Sequence, residues 1–369
     1  MKILVAGPGC DSRDKHEVNI FALDQARALR AAGHDVRFAA VDIRSIRRVR
    51  PWGFDTYTLE DIPVYYGAIP CGALPPAFLK LAGCLTASGI CRTMENDGWK
   101  PDIIHQHFGF DFAAMAEREG VPFVFTEHSS HHNRPLPPKK AERLKREYER
   151  CAAVLAVSRA LAENMRGNTG VAAAVVPNIV DTAQFAPRSV RHEHFTFVST
   201  GNLLPVKNMA GLLRAFSRLE GEPELIIFGS GSESGALRAL CAELRLEECV
   251  FFRGHCPRKE LAEAYAAADC FVLASRSETF GVAYIEAMAA GLPVIATRCG
   301  GPEDFITEKN GIMVPVDDER ALAAAMERMI HCRAAYDGAA ISADICRRFA
   351  PETVAAQLTE IYTAVLESR

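Results

Sequence analysis

Short apolar runs recur along the whole chain, and most are separated by stretches with helical spacing. Ile3–Ala6, DVRFAAV, PDIIHQHFG, VPFVFTEH, AVLAVS and AAVVP lie in the first half, and FTFVST, ELIIFGS, CVFFRG, CFVLAS and PVIAT in the second. Strands this short and this apolar, alternating with helices, predict a parallel sheet covered by helices on both faces. The alternation runs twice, on either side of PNIVDTAQFAPRSVRHEH (177–194). The expected fold class is therefore α/β, with two doubly wound Rossmann-like domains facing across a cleft. The expected boundaries are 1–185 for the first domain and 186–349 for the second. In the tail at 350–369, Val354, Leu358, Ile361 and Val365 share one side of an amphipathic helix. It reads as a helix that crosses back to the first domain.

Hydrophobic residues make up 49% and charged residues 24%, which places the chain among ordinary water-soluble globular proteins. The longest apolar stretch, around 281–296, is broken by Glu286, Gly291 and Pro293, so no membrane span is expected. MKILVAGPGC is too short in its apolar part for a signal peptide and reads as a first strand and a turn. Twelve cysteines occur with no CxxC spacing, which suits a reduced, cytoplasmic protein better than a disulfide framework. The net charge of −4 argues against nucleic acid as a partner. Two basic runs, RSIRRVR (44–50) and KKAERLKREYER (139–150), stand out in the first half. Each is either a solvated face or a surface for anionic lipid, peripheral at the inner face of a membrane, or for a phosphorylated acceptor.

One stretch carries the chemistry: SETFGVAYIEAMAAGLPVIAT (277–297), with glutamates at 278 and 286. A carboxylate in an apolar helix is costly unless the fold or a ligand pairs with it. Glu278 lies in the loop before a helix that starts near Thr279, Phe280 and Gly281. Free amides at such a start bind anions, and glycine lets a phosphate approach. Two carboxylates suit sugar and ribose hydroxyls, whereas a phosphate would need amides and a cation. Lys207, in GNLLPVKNMAGLLRAF, follows a strand and can supply that cation, although taken alone it reads more readily as an exposed helix-start lysine. Gly229, in FGSGSE, marks a second strand-to-helix turn, a weak signal by itself.

Together these segments resemble the retaining GT-B glycosyltransferases of the family 4 type, also called glycosyl transferases group 1. The likeness rests on the Glu278–Glu286 spacing, the EAMAAGLPVIAT run, Gly300-Gly301-Pro302-Glu303, NG-MV-P-D at 310–317 and the GNL…K entry. AVSRAL, VVPN-VD, IIHQHF and FTEHSS extend it into the first half. The resemblance implies that Glu286 binds ribose, Glu278 the donor sugar and Lys207 the diphosphate, with amides from Phe280 and Gly281. It further implies transfer of a sugar from a UDP- or GDP-linked donor to an acceptor hydroxyl, including a lipid-linked one, with retention. Such transfer fits surface polysaccharide or glycolipid assembly. The family often has an arginine where Asn202 stands here, leaving Arg253, Arg276 and Arg298 as candidate substitutes.

Five of the eleven histidines fall within 105–132. By resemblance His128, after the strand VPFVF, lies near the reaction centre, and His107 is an acceptor-side contact. A zinc site is the weaker reading, since strand-end histidines in a polar crevice explain them as well and no Cys or carboxylate cluster completes a coordination set. No Asp-x-Asp motif occurs either, so neither a metal nor another cofactor is expected. A glycine pair common in the family's first loop is replaced by His16-Glu17-Val18-Asn19, which makes His16 and Asn19 candidates for acceptor hydroxyls. In the expected reaction the acceptor attacks on the face the leaving group departs from, and the leaving phosphate takes its proton. Two rivals predict other outcomes. A nucleotide-sugar epimerase would alter the donor without an acceptor, and a non-catalytic binder would hold it without turnover.

Overall fold

The computed structural model describes residues 1–8, 20–43, 52–69, 71, 76–187 and 194–368. His16, Glu17 and Asn19, and the basic run at 44–50, lie outside the described residues. The chain divides into two compact units, Met1–Ile179 with Pro351–Arg369, and Val180–Ala350.

In the first unit eight strands form one sheet. They are β1 (Lys2–Pro8), β2 (Asp35–Asp42), β3 (Gly53–Leu59), β4 (Ile62–Ala68), β5 (Ile103–His107), β6 (Phe123–Glu127), β7 (Ala153–Ala156) and β8 (Ala174–Val175). Their order is β3-β4-β2-β1-β5-β6-β7-β8. All neighbours are parallel except β3 and β4. That antiparallel hairpin was not expected from the sequence. Glu60 and Asp61 make its tight turn, both with positive φ. The inner strands are buried along their length, as the two-sided apolar runs require.

The helix Pro351–Glu367 belongs to this first unit. Val354, Ala355, Leu358 and Tyr362 join its core, and Ile361 and Val365 pack on that core from the edge. Tyr362 also reaches a histidine of the sheet, with its hydroxyl 2.6 Å from His105 Nδ1. His105 Nε2 lies 2.6 Å from Thr126 Oγ1, so this fully buried ring satisfies both nitrogens inside the fold. Burial pushes its pKa down to about 3. His105 is a core histidine that ties the terminal helix to the sheet.

The second unit has six parallel strands: β9 (Thr196–Thr200), β10 (Glu224–Phe228), β11 (Val250–Gly254), β12 (Cys270–Leu273), β13 (Val294–Thr297) and β14 (Gly311–Val314). Their order is β11-β10-β9-β12-β13-β14. The chain winds outward one way from β9 and the other way from β12. The switch point, where open α/β sheets bind ligands, lies beyond the carboxyl ends of those two strands. The helix Gly338–Phe349, unassigned in the sequence reading, closes the unit with Ile341, Ile345 and Phe349 buried. No helix among the described residues is long and apolar enough to cross a membrane. The described cysteines are all free thiols.

Candidate functional site

At the switch point of the second unit, Lys207 and Glu278 meet. Lys207 ends a 3-10 turn, Pro205–Lys207, after β9, and Glu278 lies in the loop after β12. The ammonium donates to Glu278 Oε1 at 2.6 Å, and Ser275 Oγ donates to the same oxygen at 2.7 Å. Arg276 holds the lysine turn in place. Its guanidinium donates to the Pro205 carbonyl at 2.6 Å, to Asn208 Oδ1 at 3.0 Å and to Asp317 Oδ1 at 2.8 Å. Its amide bonds the Val206 carbonyl. Arg276 is thus committed to structure and is not a spare cation for a ligand.

The glycines of this region are needed for close backbone approach. A Cβ on Gly229, whose φ is +132°, would stand 1.9 Å from the Gly201 carbonyl oxygen, and one on Gly231 would stand 2.3 Å from that of Leu203. The turns after β9 and β10 therefore press backbone to backbone. On the other side, the Glu278 amide bonds the Cys299 carbonyl and its own carbonyl accepts from the Gly301 amide. A Cβ on Gly301 would run into the Phe280 backbone at 2.4 Å. The Glu278 loop is therefore sewn to the Gly300–Gly301 loop after β13.

Gly281, with φ of +98°, precedes the helix Val282–Ala289. No side chain caps that helix, and an uncapped helix start is the kind of end that suits an anion. Phe280 is a core residue packed against Phe305 and Phe349, and only its backbone can serve a ligand. Thr279 is half-buried in the same loop, and the Asn202 side chain is exposed beside the lysine turn. Arg298, also exposed, lies 3.9 Å from Glu303. Arg253 lies exposed on the edge strand β11, stacked over Phe251.

Glu286 sits within this helix and is buried. Its partner comes from the protein: Arg258 donates to Glu286 Oε1 at 2.7 and 3.3 Å, and the guanidinium also lies over the Phe185 ring. The burial cost that the sequence raised is thus met internally by Arg258, which sequence reasoning did not single out. Nothing in the spacing of RKELAEAYAA points from residue 258 to residue 286. The nearby Cys299 thiol is pushed up to about 12, chiefly by burial, and cannot act as a nucleophile near neutral pH.

A second constellation lies at the carboxyl ends of β5 and β6 in the first unit, where its own strand order reverses between β1 and β5. His128 follows β6, and its Nε2 lies 2.8 Å from His107 Nδ1. The His128 ring stacks on Phe108 at 4.5 Å and on Phe21 at 5.7 Å. Phe108 adopts a left-handed backbone with φ of +57°, a costly conformation for an aromatic residue, and this carries its ring onto His128. Burial lowers the pKa of His128 to about 4 and that of His107 well below the ordinary range, so both rings are neutral at pH 7.

His107 is fully enclosed, and its Nε2 is buried without a partner among the described residues.

A carboxylate does accompany these histidines, contrary to the sequence reading. Glu127, His131 and His132 bring ligand-type atoms within 4.8 Å of one another. Tyr148 already occupies that group. Its hydroxyl donates to Glu127 Oε2 at 2.6 Å and lies 2.9 Å from His132 Nε2. Glu127 Oε1 accepts two amides as well. The carboxylate is thus engaged by the protein, while His131 Nε2 and His132 Nδ1 are buried without a hydrogen-bond partner among the described residues.

The profile for glycosyl transferases group 1 matches residues 181–343, and that for glycosyltransferase family 4 matches residues 18–184. The chain belongs to this glycosyltransferase family. Among its relatives, a GDP-mannose-dependent alpha-mannosyltransferase of Mycobacterium tuberculosis is 30% identical over 65% of this chain and 67% of its own length. The Bacillus subtilis glycosyltransferase TuaC, provisionally assigned to teichuronic acid biosynthesis, is 28% identical over 90% of both chains. The solved sucrose-phosphate synthase of Thermosynechococcus elongatus superposes with a TM-score of 0.83 over the whole of both chains at 20% identity. The Anabaena protein HepE, solved with UDP-glucose, gives 0.76 over 99% of this glycosyltransferase and 100% of its own chain, also at 20% identity. The fold is accordingly GT-B, with two Rossmann-like domains.

Proposed function

We propose that this glycosyltransferase moves a sugar from a nucleoside-diphosphate donor, UDP- or GDP-linked, to an acceptor hydroxyl with retention and without a metal. The observation that carries the reading is the Lys207–Glu278 pair at the second unit's switch point, beside the uncapped helix start at Gly281. In this reading the diphosphate takes the amides after Gly281 and draws Lys207 to itself, and Glu278 turns to the donor sugar's hydroxyls. Gly229, Asn202 and Thr279 line the approach, and Glu286 takes the ribose while Arg258 keeps its charge compensated. The acceptor oxygen bonds the anomeric carbon as the bond to the phosphate oxygen breaks, and that oxygen takes the acceptor's proton. Lys207 and the helix-start amides stabilise the departing charge. His128, neutral and held in place, serves the reaction centre from the first unit.

A relative named for GDP-mannose and a solved neighbour bound to UDP-glucose support a nucleotide-sugar donor. The name of TuaC supports a place in surface polysaccharide or glycolipid assembly. A peripheral membrane contact at the inner face has two further supports in the first unit. Phe78, Leu81 and Leu85 are exposed along one side of the helix Pro76–Asn96. The helix Pro138–Tyr148 exposes Lys139, Arg143 and Arg146 of the basic run. Binding to anionic vesicles no stronger than to neutral ones would remove this part of the reading.

Thermal unfolding with UDP, GDP, ADP, TDP and CDP, each with and without EDTA, tests the core of the proposal. A ligand at a hundred times its Kd adds roughly 2.7 kcal/mol, or a few degrees for a protein of this size. One nucleotide is expected to stabilise regardless of EDTA. No shift with any of them, or one that EDTA abolishes, overturns the reading in its donor or in its metal independence.

A further inference from the structure

The turn that carries His128 is held by one buried carboxylate. Glu127 is the last residue of β6 and is 3% exposed. Its Oε1 accepts from the amides of His128 at 3.0 Å and Ser129 at 2.8 Å. Its Oε2 accepts from the Tyr148 hydroxyl at 2.6 Å and lies 3.6 Å from His132 Nε2. Tyr148 is itself fixed, fully buried at the end of its helix and packed against Phe110 and Phe125. Burial alone would raise the carboxyl's pKa, and the bonds from His132, Tyr148 and the Ser129 amide outweigh it, so the group stays ionised. Hydrogen bonds to an ionised acceptor are shorter and stronger than neutral ones, so this carboxylate is a firm anchor for two successive amides.

We propose that Glu127 is a positioning residue: anchored by Tyr148, it captures the His128 and Ser129 amides and fixes the turn that lays the His128 ring against His107 and Phe108. The functional half of this inference rests on the proposed place of His128 at the reaction centre. The geometric half does not.

Two measurements separate them. With histidine labelled by nitrogen-15, the bond between His107 Nδ1 and His128 Nε2 gives an imidazole proton protected from exchange in the native protein. That resonance is expected to vanish in Glu127→Ala. It is expected to vanish also in Glu127→Asp, which keeps the charge and, one methylene shorter, loses the reach. It should survive in Glu127→Gln, which keeps an oxygen for the two amides. A folded Ala or Asp variant that retains it overturns the proposal.

The second measurement is release of nucleoside diphosphate from UDP-glucose or GDP-mannose, with water as acceptor. Glu127→Asp is expected to lower it at least tenfold with the affinity for the free nucleoside diphosphate unchanged. Combined with His128→Ala, it should add nothing to the single loss, because it acts through that ring. An additive loss means a general structural role and sinks the inference. Full turnover in His128→Ala, with the resonance still lost in Glu127→Asp, overturns the place of His128 and leaves Glu127 as its anchor.

Discussion

Lys207 Nζ stands 2.6 Å from Glu278 Oε1, at the ends of the neighbouring strands β9 and β12. A ligand that recruits either charge must therefore part this pair, and each partner limits the other's availability. Replacing Glu278 by Gln leaves the lysine unopposed and removes a repulsive charge. The free nucleoside diphosphate is expected to bind a few-fold more tightly, while turnover of the nucleotide sugar falls at least a hundredfold. Titration calorimetry and initial rates read the two effects. Weaker nucleotide binding would mean that Glu278 chiefly holds Lys207 in place.

Lys207→Ala has the opposite signature. Loss of a charge-assisted bond to the diphosphate costs roughly 1.5–3 kcal/mol, or about ten- to a hundredfold in affinity. The loss should be equal for nucleoside diphosphate and nucleotide sugar and small for the nucleoside alone. Competition titrations with the three compounds would reveal any other pattern.

Arg258 answers for the buried charge of Glu286. Arg258→Ala leaves that carboxylate without its observed cation, and removing one partner of a buried pair costs roughly 3–5 kcal/mol. Chemical denaturation should show this loss, with recovery of part of it in Arg258→Met combined with Glu286→Gln. If the single variant is as stable as the parent, the pair carries no structural weight and Glu286 depends on something else.

Gly229→Ala forces a methyl into the Gly201 carbonyl at a backbone angle that side chains rarely adopt. A destabilisation on the order of 2–4 kcal/mol is expected, along with loss of nucleotide-induced thermal stabilisation, since the displaced turn precedes Lys207. Gly235→Ala, where a Cβ meets nothing within 4 Å, is the matched control and should be harmless.

Acid should weaken the first unit in a defined window. His105 and His128 titrate near 6.5 when unfolded but only at about 3 and about 4 in the fold, because burial disfavours their charged forms. The unfolded chain then binds more protons between those values, so stability is complete above pH 6.5 and falls as the pH drops towards 4. Each ring contributes roughly 3–5 kcal/mol at the bottom of its range. Denaturant midpoints between pH 7 and pH 4 should fall accordingly, and less steeply in His105→Gln. An unchanged slope in that variant would rule His105 out as a source.

The two alternations of strand and helix were plain in the sequence because buried strands and amphipathic helices leave distinct periodicities. Glu278 and Lys207 were legible because each stands out locally, a charge at the mouth of an apolar strand. Their bond to each other was not, since it depends on β9 and β12 becoming neighbours. The partners set by tertiary packing were hidden for the same reason. Arg258 for Glu286, Tyr148 for Glu127 and Tyr362 for His105 are each supplied by a separate element. The hairpin β3–β4 went unread because its edge strand β3 holds only exposed and half-buried residues and shows no apolar run. The enclosure of His107 was hidden too, since a histidine at a strand end looks accessible until the elements around it are in place.

The helix Pro351–Glu367 completes the core of the unit whose strands stand at the opposite end of the chain. A ribosome makes proteins from the amino end, at about 5–20 residues per second. The unit begun first is therefore finished last, after the second has been made in full. Until then the faces of β1, β5 and the helix Ile20–Ala31 that Val354, Leu358 and Tyr362 will cover are open to chaperones, and a stop codon just short of Pro351 would cripple the domain at the far end of the message.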